Sequence, residues 1–188
     1  MSAELFYLVG KPNRLKQALI SVMRETLSDH RSIIVPQIYT TNKEGAESDN
    51  YCYVDERNFL LRESMGIYSL HWKKKDCYFG VSGDLTHRLN SGVDVILNGS
   101  IHNLEAATKQ FPNLNAVIIQ KQGNLIHRTV DYYPIAEDAD VRLEWNSKDA
   151  SMGHPYVLTL LSEDGMDRAK EMLLNLISYN RYNLEDVV

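Results

Sequence analysis

Cysteine, positive charge and long apolar runs are all scarce in this chain, and each scarcity argues against a class of protein. Two cysteines occur in 188 residues, Cys52 and Cys77, and they lack C-x-x-C spacing. That pattern suits reduced thiols in a cytoplasm better than a disulfide framework. Acidic residues outnumber basic ones, 25 to 20, for a net charge of -5 and a pI near 5.7. A general nucleic-acid binder would need a basic face to neutralise phosphates and is disfavoured, although a local basic pocket is not. The opening MSAELFYLVGK has no basic leader, and its apolar run is too short for a signal-peptide core or a spanning helix. We therefore expect a cytoplasmic protein with no membrane partner. The six histidines, His30, His71, His87, His102, His127 and His154, show no metal-ligand spacing, and neither G-x-S-x-G nor a Cys/His signature occurs. Metal-dependent hydrolysis and nucleophilic catalysis are set aside, and no residue is assigned as a metal ligand.

What is present reads as an ordinary globular chain, 44% hydrophobic and 24% charged, long enough for one domain over 1–188 with a sizeable core. LFYLV (5–9) is an apolar run of strand length, and Leu15, Ala18, Leu19, Val22 and Met23 follow at helical spacing. Residues 33–41 are β-rich but broken by Pro36, and 50–54 form another short strand candidate. Asp55 is placed to cap a helix over 55–63, and 66–72 with 77–81 flank the charged turn KKKD as a hairpin. Then 82–92 reads as a helix ending at Gly92, 93–100 as a buried strand, 101–111 as a helix and 115–120 as a buried strand. The chain closes with a strand over 156–161 and an amphipathic helix on which Met166, Ala169, Leu173, Leu176 and Ile177 share a face. Apolar strands joined through helices predict an α/β fold, a parallel sheet covered on both sides, with ligands at the carboxyl ends of the strands.

The stretch after the first strand raises a chemical question. A phosphate-binding loop reads G-x-x-x-x-G-K-[ST], because its glycines let backbone amides curl around phosphate while the hydroxyl holds magnesium. Gly10 and Lys16 stand at that spacing, but Leu15 replaces the second glycine, Gln17 replaces the hydroxyl, and Pro12 has no amide hydrogen to offer. The alternative is a plain strand and helix capped by Asn13. Lys11, Arg14 and Lys16 nevertheless put three positive charges at a helix start, where they oppose the dipole and an anion would relieve them. Asn98, Gly99 and Ser100 end a buried strand where parallel sheets hold substrates, although Ser100 could equally serve as a helix cap.

In order and content these segments resemble a known family, the bacterial ribose 1,5-bisphosphate phosphokinases of phosphonate-degradation operons, relatives of guanylate kinase. The segments that carry the resemblance are Gly10 with its strand, YTTN and EGAESDN (39–50), LHWKKKDCYFGV (70–81), GVDVILNGS (92–100), AVIIQ (116–120) and TLLSEDGMDRAKEMLLNLI. The resemblance implies a three-layer P-loop nucleoside-monophosphate-kinase-like fold. Its core would be 1–36, 81–120 and 156–188, its substrate-binding arm 37–80 and its lid 121–155. It implies that Gly10, Lys11, Arg14 and Lys16 face the nucleotide, Lys16 also being catalytic if the chain is active. It likewise implies an acceptor pocket of Thr41, Glu47, Tyr78, Asn98, Gly99 and Ser100. Family members transfer a phosphoryl group from ATP to ribose 1,5-bisphosphate, making phosphoribosyl pyrophosphate.

The departures fall on the parts that do this chemistry. The middle glycines of the loop have given way to KPNR and its second glycine to Leu15, Asn42 replaces an arm arginine, and DYYPIAEDADVRLE (131–144) carries five acids against one arginine where the family brings positive charge. Phosphoryl transfer is mostly positioning and charge neutralisation. The expectation is a divergent, catalytically impaired relative that binds a phosphorylated sugar or nucleotide, or a protein partner. The alternative is an active kinase with an altered loop, and only that alternative requires ATP and Mg2+.

Overall fold

The computed structural model of the chain describes residues 3–11, 13–122, 132–137, 141–146, 156–161 and 165–183. Strand β1 (Leu5–Lys11) is the third strand from one edge of a seven-stranded sheet. It pairs in parallel with β7 (Asp94–Asn98) on one side and β8 (Asn115–Lys121) on the other. Beyond β7 is the two-residue β2 (Ile33–Ile34), and beyond β8 is β11 (Tyr156–Leu160), both parallel. Leu5 to Val9 are all buried, because layers cover both faces of this strand. Phe6 and Leu8 pack with Leu19, Ile20 and Met23 of α1 (Asn13–Thr26) and with Ala169, Leu173, Leu176 and Ile177 of α5 (Met166–Asn183). Leu5, Tyr7 and Val9 pack on the opposite side with Leu85 of α3 (Leu85–Asn90) and with Leu104 and Ala107 of α4 (Leu104–Gln110). Each fully buried large side chain contributes about 1.5–3 kcal/mol. The helical stripes and continuous apolar strands of the sequence thus become a three-layer α/β core.

The second sheet, in the order β4-β3-β6-β5, contains β3 (Ile38–Thr40), β4 (Tyr51–Tyr53), β5 (Tyr68–Lys74) and β6 (Cys77–Ser82). The β-rich run 33–41 divides at Pro36, so that β2 joins the core sheet and β3 the smaller one. Asp55 caps α2 (Glu56–Ser64) by accepting the Asn58 N–H at 3.0 Å. From α2, Phe59 stacks on Tyr68 and Tyr78, with ring centroids 4.5 and 5.5 Å apart. The first hairpin strand lies two residues later than expected and the second runs one residue longer, so that only Lys75, at φ 54°, and Asp76 remain to turn the chain.

Two further strands come from the segment expected as a lid, β9 (Tyr132–Glu137) and β10 (Val141–Asn146). Both are antiparallel and hydrogen-bonded onto the core sheet beside β11. Pro134 sits in the edge strand β9, where a missing N–H is tolerated. The rest of 121–155 after Gln122 lies outside the described residues. Among the described residues, no helix is long and apolar enough to cross a membrane.

Candidate functional site

The carboxyl ends of β1 and β7 and the inner face of the small sheet enclose a cleft of about 520 Å³. Gly10, Asn13, Lys16 and Gln17 form one wall, and Asn98 to His102 form the floor. Thr40, Asn42, Tyr51, Trp72, Lys74, Lys75, Cys77 and Phe79 face them from the arm. Trp72 and Phe79 stack at 5.7 Å with an interplanar angle of 9°, and Tyr51 meets Phe79 edge-on at 6.3 Å. Among the described residues, no aspartate or glutamate lines this cleft.

Gly10 is required because β1 runs tightly against β8 there, and a Cβ would collide with the Ile119 carbonyl oxygen. Gly99 is required for a similar reason: the buried Tyr7 ring passes beneath it and would occupy the space of a side chain. The Tyr7 hydroxyl accepts the Ser100 N–H at 3.0 Å, and the Gly99 N–H donates to the Leu8 carbonyl at 2.8 Å. The floor is thereby held rigidly, and the Gly99 carbonyl accepts a hydrogen bond from Lys16 Nζ. Lys16 is only 5% exposed. Burial, and secondarily the charge of Lys74, lowers its pKa from 10.5 to about 7.

Beside it, Gln17 is fully engaged. Its Nε2 donates to the Tyr51 hydroxyl at 2.8 Å and to Asn98 Oδ1 at 3.4 Å. Its Oε1 accepts from Asn50 Nδ2 at 2.9 Å and from Asn98 Nδ2 at 3.2 Å. Burial pushes the Tyr51 phenol up, so this network is neutral. A phosphate-binding loop places a magnesium-binding hydroxyl at this position. The amide oxygen here already accepts two hydrogen bonds, and among the described residues no group of His, Cys, Asp or Glu could hold a metal ion. Among the described residues, the cleft lining therefore does not fit a divalent cation held by the protein.

No family model matches the chain. Among curated proteins it is 25% identical, over 94% of its own length and 93% of the relative's, to ribose 1,5-bisphosphate phosphokinase PhnN of Enterobacter lignolyticus. A protein of the same name from Dickeya zeae is 25% identical over 87% of this chain and 86% of that protein. The chain is a relative of the ribose 1,5-bisphosphate phosphokinases. Its fold is also that of a solved guanylate kinase from Anaplasma phagocytophilum, with a TM-score of 0.51 and 17% identity over 65% of this chain and 62% of that one. The expected P-loop nucleoside-monophosphate-kinase-like architecture is thus the observed one.

Of the positions carried over from the phosphokinases, Gly10, Lys16, Asn98, Gly99 and Ser100 converge on the cleft. Arg14 is exposed on the first turn of α1 and does not line it. Asn13 is the first helical residue of α1, one position inside where a cap would sit. Thr41 and Tyr78 are not brought to the cleft. The Thr41 hydroxyl accepts the Tyr78 N–H at 2.9 Å, and the Tyr78 ring lies on the opposite face of the small sheet, against Phe59. Strand alternation is the reason, since Cys77 and Phe79 point inward and Tyr78 points out. Lys11 ends β1, and Glu47 ends the single helical turn Glu44–Glu47 at the cleft edge, but their side chains lie outside the described part of the structure.

Sequence reasoning missed Tyr51, Trp72, Lys74, Phe79 and His102 as lining residues. The period-two pattern of the hairpin could have indicated both Phe79 and Trp72, which stand directly opposite each other across it, whereas a register shift between Tyr68 and Leu70 puts Tyr68 out of step with them.

Proposed function

We propose that this relative of the phosphokinases binds a phosphorylated sugar of the ribose-phosphate class, or a nucleotide, in the core–arm cleft. Phosphoryl transfer from ATP is impaired in this reading. One observation carries it: the Lys16 amine is buried at the cleft with a backbone carbonyl as its one hydrogen-bond partner among the described residues. A phosphate group would complete it, and Lys74 and Lys75 line the same cleft with no opposing carboxylate among the described residues. Support for impairment comes from the loop, where Pro12, Leu15 and Gln17 remove the amide, the flexibility and the hydroxyl that such loops use.

A second reading, an active kinase that converts ribose 1,5-bisphosphate to phosphoribosyl pyrophosphate, is favoured by the retained Gly10 to Lys16 spacing and by the activity for which the relatives are named. ATP and Mg2+ are cofactors in that reading alone. Incubating the purified chain with magnesium ATP and ribose 1,5-bisphosphate, followed by 31P NMR, separates the two. Turnover that disappears in Lys16→Ala overturns the impaired reading. Calorimetric binding of ribose phosphates without ATP binding or turnover overturns the kinase.

A further inference from the structure

A P-loop normally brings a divalent cation to its phosphates through the hydroxyl that follows the lysine. In this cleft the corresponding side chain is committed elsewhere. Both acceptor sites of Gln17 Oε1 are taken, by Asn50 at 2.9 Å and Asn98 at 3.2 Å, and its amide hydrogens go to Tyr51 and Asn98. We propose that the cleft takes its phosphorylated ligand as the metal-free anion, with lysine ammonium groups supplying the charge neutralisation. The proposal rests on the phosphate-ligand reading above.

Three features of the site agree on this. The oxygens that Mg2+ prefers are carboxylates and phosphates, and the described cleft lining contains no carboxylate. The cations already present are Lys16, Lys74 and Lys75, and Lys74 is close enough to Lys16 to disfavour its charge. A dication would add to that repulsion in a partly desolvated site, whereas an anion removes it. Finally, the Gln17 network joins three separate elements, α1, β4 and β7, through residues 34 and 81 positions apart in sequence. Freeing the amide oxygen for a metal would break its bonds from Asn50 and Asn98, whose remaining acceptors are the Gln17 carbonyl and Ser21 for Asn50 and the Tyr51 hydroxyl for Asn98, and would loosen the contact between these elements.

The test is calorimetric titration of the full chain with ribose 5-phosphate and with ribose 1,5-bisphosphate, in excess EDTA and again in millimolar magnesium. Expected affinities agree within about twofold between the two buffers, and Lys16→Gln weakens both by about thirtyfold or more. Binding that appears only with magnesium, or tightens more than about tenfold with it, overturns the metal-free proposal and leaves the phosphate-ligand reading intact. An absence of binding in both buffers overturns both. Manganese gives an independent readout. Its aqueous EPR signal should be unchanged when protein and ribose 5-phosphate are added together, and a loss of signal that requires both also overturns the proposal.

Discussion

Replacing Lys16 by methionine should make the protein more stable and less able to bind its ligand. The amine is 5% exposed, with its ionisation lowered from 10.5 to about 7. At about 1.4 kcal/mol per tenfold change in the ionisation equilibrium, holding it charged in the fold costs on the order of 4–5 kcal/mol at pH 6 and below. Between pH 7 and 10.5 the unfolded chain binds more protons at this site than the folded one, so the site's penalty shrinks as pH rises through that window. Roughly 2 kcal/mol of it remains at about pH 9. Methionine fills the same volume without charge but leaves the Gly99 carbonyl without its donor, at a cost of about 1–3 kcal/mol. The net gain is therefore about 1–4 kcal/mol at about pH 6, and within about 1 kcal/mol of zero at about pH 9. For a chain of this length that is roughly 2–16 °C in Tm at the lower pH. Thermal and urea unfolding of both proteins at the two pH values measures it. If Lys16→Met loses the same stability at both, the amine is not buried as an uncompensated cation, and the argument built on it fails.

Ligand affinity should depend on pH through the same group. With a phosphate monoester already dianionic, affinity is expected to fall about tenfold per pH unit above pH 7, because each binding event must then protonate Lys16. Calorimetry in buffers of different ionisation enthalpy checks this through proton uptake, and a flat profile from pH 7 to 9 would refute it. Arg24 joins α1 to the arm by donating to the Val35 and Pro36 carbonyls at 3.1 and 3.0 Å, to Asn50 Oδ1 at 3.1 Å and to the Asp49 carbonyl. Arg24→Ala should cost about 2–3 kcal/mol and should speed hydrogen exchange at residues 35–50 more than in β1 or β8. Gly99→Ala should lose about 1–3 kcal/mol, because the Tyr7 ring beneath it is fully buried and cannot yield. Tyr7→Leu in the same background should recover part of that loss in denaturant titrations.

The layered core was legible because periodicity is a local property. LFYLV (5–9), VIL (95–97) and AVII (116–119) are apolar at successive positions, so they belong in strands buried on both faces, and the stripes of α1 and α5 match the sheet they cover. The resemblance to phosphokinases reached the right fold, and of the positions it carries over five lie together at the cleft. Tyr78 and Thr41 lie away from it, because one step along a strand decides between cleft and outer face. It could not reveal the state of Gln17 either. The chain shows only that a hydroxyl is missing there; whether the amide is free or committed depends on Tyr51 and Asn98, 34 and 81 residues away. The same holds for Lys16. Its spacing from Gly10 is written in the sequence, but its burial, its carbonyl partner and the nearness of Lys74 exist only once α1, β7 and the hairpin are packed together. Hydrogen bonds and desolvation are set by neighbours in space, and those neighbours are not neighbours along the chain.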